Sequence, residues 1–446
     1  MKIDSSIHAA SLESRVTALF DLSAAKIRAL ERSWNPSSGS PVFTANGKYT
    51  SRGWTEWTQG FQFGSAILQF DATGDAAFLE TGRARTVEFM APHVTHTGVH
   101  DHGFNNVSTY GNLLRLMDEG RIPHNTWERN FYALALKSSG AVQAARWSPI
   151  AGGGGFIYSF NGPHSLFVDT IRTLRALAVG HALGHVLLGE NDRRISLLER
   201  LTDHALATAR YSVYYGEGRD AYDVRGRVAH ESIFNSNDGN YRCPNSQQGY
   251  SPFSTWTRGL AWAMCGFAEQ LEFFATLPDA DRAAVAAMRK AAESVCDFYI
   301  DNSALDGIVY WDTGAPGLDK MGDWRAKPAD PFNDFEPVDS SAAAIAAQGL
   351  LRLGRYLDNE RYLKAGLTVC RALFDEPYLS TDPKHEGLIL HAVYHRPNAW
   401  DTVPAGRPVP AGEACMWGDY HAIELALYVK RLIENKPYLT FWSNPK

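Results

Sequence analysis

Apolar residues recur at spacings of three and four along most of the chain, and short turns rich in Gly, Asn and Asp interrupt them. The clearest units are AILQFDATGDAAFLETGRARTVEFM, ALGHVLLGENDRRISLLERLTDHAL and GLLRLGRYLDNERYLKAGLTVCRAL, at 66–90, 182–206 and 349–373. Weaker versions lie at 113–136 and 267–295. Such spacing on both sides of a tight turn predicts antiparallel helical hairpins.

Two further amphipathic stretches, at about 10–32 and 419–434, bring the predicted total to twelve helices. Runs with strand character are no longer than a few residues. An array of this kind fits an all-α fold, either a closed (α/α)6 toroid of six helical hairpins or an open solenoid. Because toroids often use about this length as one unit, we expect a single catalytic domain over 1–446.

Polar and aromatic segments before every second helix favour the closed ring. They lie at 52–57, 99–104, 162–169, 247–259, 333–341 and 416–421. In a toroid these would be the inner helices, running in one direction, so that their N-termini meet at a mouth that favours anionic groups. Capping explains Ser, Thr, Asp and Asn at helix starts but not Trp and His. The Gly-rich segment 152–163 and the long loop 312–337 are the predicted rims of this mouth.

The amino-acid composition and net charge limit the classes of partner that the chain can bind. Hydrophobic residues make up 45% and charged residues 21%, as in globular proteins, whereas the 12% aromatic content suits either a core or a cleft that stacks sugar rings. A net charge of -6 argues against nucleic acid and acidic membranes as partners. Five scattered cysteines and no apolar leader predict a cytoplasmic protein with no membrane span, and we expect a monomer or small homo-oligomer.

The sequence contains none of the common motifs for nucleophilic or metal catalysis: G-x-S-x-G, H-E-x-x-H and paired Cys/His spacings are all missing. A loose histidine cluster, His93, His96, His100 and His102, matches no standard zinc spacing. We therefore expect no metal and no cofactor.

Asp169 is the strongest candidate for acid–base chemistry. It lies in the apolar run SLFVDTIRTLRAL, where burial is expected to raise its carboxyl pKa, and Asp101 nearby would raise it further. Such a carboxyl donates a proton near neutral pH and then accepts one from water. The alternative is an ordinary N-cap aspartate.

Arg258 and Trp262 lie four residues apart in STWTRGLAWAMCGF and therefore share a helix face. A cation beside an indole could grip a sugar carboxylate. The alternative is a surface arginine packed on a core tryptophan.

Several segments resemble glycoside hydrolase family 88, the unsaturated glucuronyl hydrolases. QQGYSPFSTWTRGLAWAMCGFA at 247–268 is similar to the family's H-Q-G-x-x-D-x-S-T-W-T-R-G signature, HDHGF at 100–104 to its H-D-x-G-F, and FVDTIRTLRAL at 167–177 to its I-D-x-x-x-N-L-P-L-L helix. TEWTQGFQFG, DGIVYWD, DSSAAAIAAQGLL and WGDYHAIELAL match further segments in order. The resemblance runs from about residue 50 to 430.

The resemblance implies a metal-free (α/α)6 enzyme that removes a 4,5-unsaturated uronic acid from oligosaccharides made by lyases. In the family's scheme the residue matching Asp169 protonates C4 and activates a water for C5, and the one matching Asp101 orients or stabilises. The resemblance implies that His230, Gln248, Arg258 and Trp262 bind the substrate. We expect Trp57, Trp147 and His100 to bind it as well.

The chain departs from the family pattern at Gln62, Asn105, Asn106, Leu260 and 173–177, which includes Arg175. We expect these changes to border the mouth and to alter substrate preference. Alternatives are the related family 105, which acts on unsaturated rhamnogalacturonyl or ulvan fragments, an epimerase using His230 and His421 as paired bases, and a non-catalytic sugar-binding toroid.

Overall fold

The structure is a computed structural model that describes residues 1–53, 56–437 and 439–442. Its helices are α1 (Glu13–Ser33), α2 (Gln59–Thr73), α3 (Ala76–Phe89), α4 (Ala91–Val94), α5 (His102–Asn106), α6 (Asn112–Asp118), α7 (Thr126–Ala145), α8 (Thr170–Thr173), α9 (Arg175–Ala182), α10 (Leu197–Tyr211), α11 (Thr257–Phe274), α12 (Arg282–Asp301), α13 (Ser340–Leu357), α14 (Glu360–Leu373) and α15 (Met416–Ile433). A π-helical turn, Val107–Gly111, joins α5 to α6.

Short antiparallel strands lie in the segments between the helices. They are β1 (Phe43–Ala45), β2 (Lys48–Thr50), β3 (Trp147–Pro149), β4 (Gly155–Ile157), β5 (Ser165–Phe167), β6 (Val186–Leu188), β7 (Arg194–Ser196), β8 (Glu231–Phe234) and β9 (Tyr241–Asn245). The first four form two hairpins, β6 pairs with β7, and β5, β8 and β9 form a three-stranded sheet. In this sheet Leu166 lies opposite Ser232 and Ile233 opposite Cys243.

The helices form two concentric layers. Over the described residues, the inner layer consists of α2, α5–α6, α8–α9, α11, α13 and α15, and each member contacts the next until α15 contacts α2. The outer layer, α1, α3, α7, α10, α12 and α14, packs around it. Every residue of α11 is buried, whereas α12 buries one side only, as expected for an inner and an outer helix. The predicted (α/α)6 toroid is confirmed.

Four of the five predicted hairpins contain two helices, but the prediction at 182–206 is wrong in its first half. The inner helix ends at Ala182, and β6 and β7 form a β-hairpin before α10 begins. Gly184, with φ of 73°, breaks the helix, and Asn191 and Asp192, with φ of 55° and 58°, form the tight turn. The apolar run Val-Leu-Leu fits a strand as well as a helix, so periodicity alone did not separate them.

Glycines allow neighbouring inner helices to approach backbone to backbone. A Cβ at Gly60 would lie 2.4 Å from the Cα of Asn105, and one at Gly266 would lie 2.8 Å from the backbone nitrogen of Arg172. Gly103 is the tightest of these positions, because a Cβ there would lie 2.2 Å from the carbonyl oxygen of Thr173. The distance between α5 and α8 therefore depends on this glycine.

We expect Gly103→Ala to destabilise the fold by about 1–3 kcal/mol, because the added methyl group overlaps the Thr173 backbone. Urea unfolding measures this loss of stability. An unchanged unfolding midpoint would contradict the close packing.

An ion network fills the centre of the ring. Arg172 pairs with Glu269 at 2.7 Å and with Glu424 at 3.0 Å, and Arg175 lies 3.5 Å from Glu424. Arg352 adds a further pair with Glu272 at 2.7 Å. All of these side chains are at most 1% exposed. Each of the three arginines thus has a glutamate partner within the core, as buried charges require.

Candidate active site

A cavity of about 640 Å³ opens at the N-terminal ends of the inner helices. Its size suits a small oligosaccharide, and its walls mix aromatic rings with a few polar groups. The predicted site residues that line it are Asp101, Asp169, His100, Trp57, Gln248, Arg258 and Trp262. The structure thus brings together residues from four of the predicted segments, although residues 54 and 55 of the first segment lie outside the described part of the chain.

Asp101 and Asp169 occupy the N-cap positions of α5 and α8. Among the described residues, neither side chain makes the hydrogen bond of a conventional N-cap. Instead both carboxylates face His100, whose Nε2 lies 3.3 Å from Oδ1 of Asp169 and 3.6 Å from Oδ1 of Asp101. The capping alternative therefore does not explain Asp169.

The protonation of this trio differs from the sequence-based expectation. Burial alone would raise the pKa of Asp169, but the hydrogen bond and charge of His100 outweigh it and lower that pKa below 3.8. The expected rise occurs at Asp101, whose pKa burial raises although His100 opposes the change. The prediction of a raised pKa at Asp169 was wrong because His100 lies between the two carboxyls.

His100 itself gains affinity for a proton. Burial disfavours its charged form, but the charge of Asp101 and the hydrogen bond to Asp169 outweigh burial and raise its pKa above 6.5. Gln143 fixes the backbone beneath it, since its Nε2 donates to the carbonyl of His100 at 2.9 Å and to the Thr173 hydroxyl at 2.6 Å. The site can therefore store a proton on an imidazole between two carboxylates.

His230 lies behind the cavity wall, with its ring 4.7 Å from Trp256 and 4.5 Å from Phe167. Its Nδ1 accepts the backbone N–H of Gln247 at 3.0 Å, so the proton of the neutral ring is on Nε2. Burial lowers its pKa to about 4. His230 is therefore a neutral hydrogen-bond donor near neutral pH.

Arg258 is buried, and both of its terminal nitrogens already donate hydrogen bonds within the protein. Nη1 pairs with Asp339 at 3.0 Å and donates to the Val393 carbonyl, and Nη2 donates to the Tyr394 carbonyl at 2.8 Å. Nη2 also donates to Oε1 of Gln248 at 2.8 Å. The arginine thus turns the amide of Gln248 so that its NH₂ group remains for a ligand. This differs from both sequence interpretations, a direct grip and a surface arginine.

The aromatic wall is built from stacked rings. Trp57 stacks on Trp417 with centroids 4.9 Å apart, and Trp262 lies 4.7 Å from Phe104. Trp147 lies elsewhere: the guanidinium of Arg200 covers its ring at 3.7 Å, and the structure does not bring it to the cavity wall.

Sequence reasoning missed the segment 394–401, which contributes Tyr394, His395, Asn398 and Trp400 to the wall. The aromatic and His content of YHRPNAW, in a Pro-containing loop before the last inner helix, was the available signal. The Gly-rich rim contributes Phe160 and Asn161 as predicted, whereas the wall takes nothing from the described loop 312–337.

Some departures from the family pattern belong to the framework and not to the mouth. Asn105 accepts the backbone N–H of Gly60 at 2.9 Å, and Asn106 donates to the His93 carbonyl at 3.0 Å. Arg175 belongs to the axial ion network. The expectation that these three residues border the mouth was wrong.

Comparisons with known proteins show what this chain is similar to. No family model matches the chain. An unsaturated glucuronyl hydrolase of Bacillus sp. (strain GL1) is 27% identical over 407 residues, covering 87% of this chain and 90% of the relative. One from Formosa agariphila is 24% identical, with 85% and 81% covered, and an unsaturated chondroitin disaccharide hydrolase of Streptococcus pyogenes serotype M1 is 24% identical, with 92% and 90% covered.

Solved structures show the same fold. The crystal structure of the unsaturated glucuronyl hydrolase from Bacillus sp. GL1 superposes with a TM-score of 0.70 at 23% identity, covering 94% of this chain and 97% of that one. An unsaturated glucuronyl hydrolase specific for heparin gives 0.73 at 18% identity, with 95% and 98% covered. The ring of helices is thus the fold of solved unsaturated glucuronyl hydrolases. The predicted resemblance to the unsaturated glucuronyl hydrolases is confirmed.

Two further properties concern only the described residues. No helix among them is long and apolar enough to cross a membrane. No group of three or more His, Cys, Asp or Glu side chains in this part of the chain is arranged to hold a metal ion.

Proposed function

We propose that this protein is a glycoside hydrolase that removes a 4,5-unsaturated uronic acid from the non-reducing end of an oligosaccharide by hydrating the C4=C5 double bond. The glycosidase class follows from the named relatives. The observation that carries the chemistry is the His100 imidazole held between Asp101 and Asp169 at the wall of an aromatic cavity.

The reaction balances with one water and no external acid. Asp169 gives a proton to C4, and positive charge develops at C5, where the ring oxygen stabilises it. A water adds to C5 and returns its proton to the carboxylate. The hemiketal at C5 then opens to a ketone, the ring oxygen becomes a hydroxyl on C1, and C1 releases the second sugar as it becomes an aldehyde. Because the bond to the leaving sugar breaks last, the reaction needs no carboxylate pair at fixed glycosidase spacing.

The proton reaches Asp169 through His100. In the empty site Asp169 is ionised, and the charges of Asp101 and Asp169 favour the protonated form of His100. A bound uronate brings a negative charge and expels water, and both changes raise the pKa of Asp169. The proton then moves along the existing 3.3 Å hydrogen bond. Asp101 stays as the second partner of His100 and positions it.

Gln248 supplies the donors to the substrate carboxylate, and His230 supports this segment from behind the wall by accepting the backbone N–H of Gln247. Arg258 keeps the Gln248 oxygen occupied, which leaves its two N–H groups for the ligand. Nε2 of His230 is buried and has no hydrogen-bond partner within the described structure. Neutral N–H donors hold the substrate carboxylate less tightly than an unpaired cation would.

The epimerase alternative needs His421 as a second base facing the sugar, and the position of His421 argues against that role. His421 lies behind Trp262, with centroids 5.0 Å apart, and its Nδ1 bonds the Trp417 carbonyl at 2.6 Å. It does not share the cavity wall with Asp169. A toroid that only binds sugar stays the competing proposal, and turnover decides it.

We also infer one catalytic domain over 1–446, a cytoplasmic location and a monomer or small homo-oligomer, without nucleic-acid or membrane partners. Free thiols support the location: Cys265, Cys296, Cys370 and Cys415 are buried and Cys243 is exposed.

The test of function is a panel of unsaturated disaccharides produced by lyases of different specificity. We expect the absorbance of the conjugated double bond to fall on addition of the protein for at least one member. Constant absorbance across the panel, with binding detected by calorimetry, would instead support the sugar-binding toroid.

The pH profile tests the shared proton. The charge of Asp101 helps to raise the pKa of His100 above 6.5, while Arg146 opposes it. Since the site must hold that proton to act, kcat/KM should fall on the alkaline side as His100 loses it. Asp101→Asn removes the stabilising charge, so the alkaline limb should move to lower pH. A limb that stays in place or moves upward would show that His100 does not carry the proton.

A further inference from the structure

The segment that carries Gln248 (residues 247–250, the Gln248 segment) is held at both ends by side chains outside the cavity wall. At one end Nδ1 of His230 accepts the backbone N–H of Gln247 at 3.0 Å. At the other end Oδ2 of Asp312 accepts the backbone N–H of Tyr250 at 2.8 Å. Because Gln248 lies between these two contacts, the position of its amide in the wall depends on both.

Asp312 is buried, and its carboxylate joins two backbone segments. Oδ1 accepts the N–H of Gly314 at 2.9 Å within its own loop, while Oδ2 accepts that of Tyr250. Burial raises the pKa of Asp312 to about 6, although these two N–H groups oppose the rise. Near neutral pH the side chain is therefore a carboxylate, and each of its oxygens has a donor.

The loop that contains Asp312 is itself fixed to the start of α11. The backbone N–H of Thr257 donates to the Trp311 carbonyl at 3.0 Å. The same helix carries Arg258, whose Nη2 donates to Oε1 of Gln248. Asp312 thus connects the backbone of the Gln248 segment to the helix that orients the Gln248 amide.

Gly249 allows the Gln248 segment to approach this carboxylate closely. A Cβ at Gly249 would lie 2.9 Å from Oδ2 of Asp312 and 2.7 Å from Oγ of Ser246. Both distances are shorter than real Cβ atoms show, so a side chain at this position would push the segment away from Asp312. The hydrogen bond from Tyr250 to Asp312 therefore requires a glycine next to Gln248.

We propose that Asp312 is a positioning residue for substrate binding: its carboxylate holds the Gln248 segment so that the amide N–H groups of Gln248 face the substrate carboxylate. This inference rests on the proposed function. The reaction leaves the substrate carboxylate unchanged, so displacing Gln248 weakens binding of the ground state and of the transition state alike. Loss of the Asp312 carboxylate therefore raises KM and leaves kcat nearly unaltered.

The test is a double-mutant cycle on Asp312 and Gln248, measured with an unsaturated disaccharide that the wild-type protein turns over. Asp312→Asn keeps the shape of the side chain but replaces one acceptor oxygen with an NH₂ group. We expect it to raise KM about 5- to 20-fold and to keep kcat within about threefold, because the segment loses a charge-assisted hydrogen bond. Gln248→Ala should also raise KM. In that background Asp312→Asn should change KM by less than about twofold, since its effect passes through the missing side chain.

Asp306→Asn is the matched control. Asp306 is a half-buried carboxyl in the same connection between α12 and α13, and it lies outside the cavity wall. Its Oδ1 accepts the backbone N–H groups of Ile308 and Ala329 at 3.2 Å each. The variant should change neither KM nor kcat. Gly249→Ala is a second way to displace the segment while the Asp312 carboxylate remains, and it should raise KM as Asp312→Asn does.

Circular dichroism checks that each variant folds. If Asp312→Asn does not fold, the same cycle with Gly249→Ala and Gln248→Ala decides. Equal KM effects of Asp312→Asn with and without Gln248 would show that the aspartate does not act through Gln248 and would overturn the proposal, as would an unchanged KM in Asp312→Asn. Absence of turnover by the wild-type protein with every unsaturated disaccharide would count against the proposed function, whereas turnover with independent effects counts only against the positioning role.

Discussion

Asp169→Asn is expected to lower kcat by roughly 10²- to 10⁴-fold, because the amide can neither give a proton to C4 nor take one from water. KM should change little, since the proposed binding groups, Gln248 and Trp57, do not depend on this carboxyl. Loss of double-bond absorbance over time measures the rate, and circular dichroism checks the fold.

Two comparisons make the result specific to Asp169. Asp203→Asn changes a half-buried carboxyl on the outer helix α10 and should leave kcat unaltered. Asp101→Asn should retain more activity than Asp169→Asn and shift the pH profile, because Asp101 acts through His100. A kcat for Asp169→Asn within a few fold of the wild type would remove Asp169 from the chemistry.

The largest expected effect on stability belongs to Glu424 in the axial network. Its carboxylate pairs with Arg172 at 3.0 Å and Arg175 at 3.5 Å, and it accepts from Gln348 at 3.0 Å and from Tyr420 at 3.2 Å. Burial alone would raise the pKa of Glu424, but the two arginines outweigh it and hold that pKa far below its usual range. The carboxylate is therefore ionised, and two buried arginines depend on it.

We expect Glu424→Gln to lower the free energy of unfolding by about 3–5 kcal/mol, because the amide leaves buried positive charge uncompensated. Chemical denaturation measures it. The control is Glu217→Gln, which breaks a surface pair with Lys290 at 2.6 Å and should cost less than about 1 kcal/mol. Equal stability of Glu424→Gln and the wild type would show that the network contributes nothing to the fold.

Helical periodicity was sufficient to predict an all-α array of helical hairpins because amphipathic spacing survives in both layers. It failed at 186–196, where a short apolar run beside Gly184 suits a strand equally well. The ring itself followed from the positions of chemically unusual segments, not from any single helix. Contacts such as that between Gly103 and Thr173 then fix the distances in the ring, and no spacing rule predicts them.

The sequence predicted most residues of the candidate site but not their protonation states. Asp101, Asp169, Gln248 and Trp262 line one cavity, as the matching motifs suggested. The protonation order was not predictable, because it depends on where the His100 ring lies between two carboxylates. The pairing of Arg258 with Asp339 was not predictable either, because 81 positions separate the two residues in the sequence. The loop that ends in Trp400 carries no periodic pattern, so its place in the wall emerged only from the fold.

The central claim is that the double bond is hydrated before the sugars separate, and proton NMR of the reaction in D₂O tests it most directly. We predict that the vinylic H4 signal disappears at the same rate as the second sugar is released, with deuterium appearing at C4. Release of the second sugar while the vinylic signal persists in the liberated uronate would contradict the account.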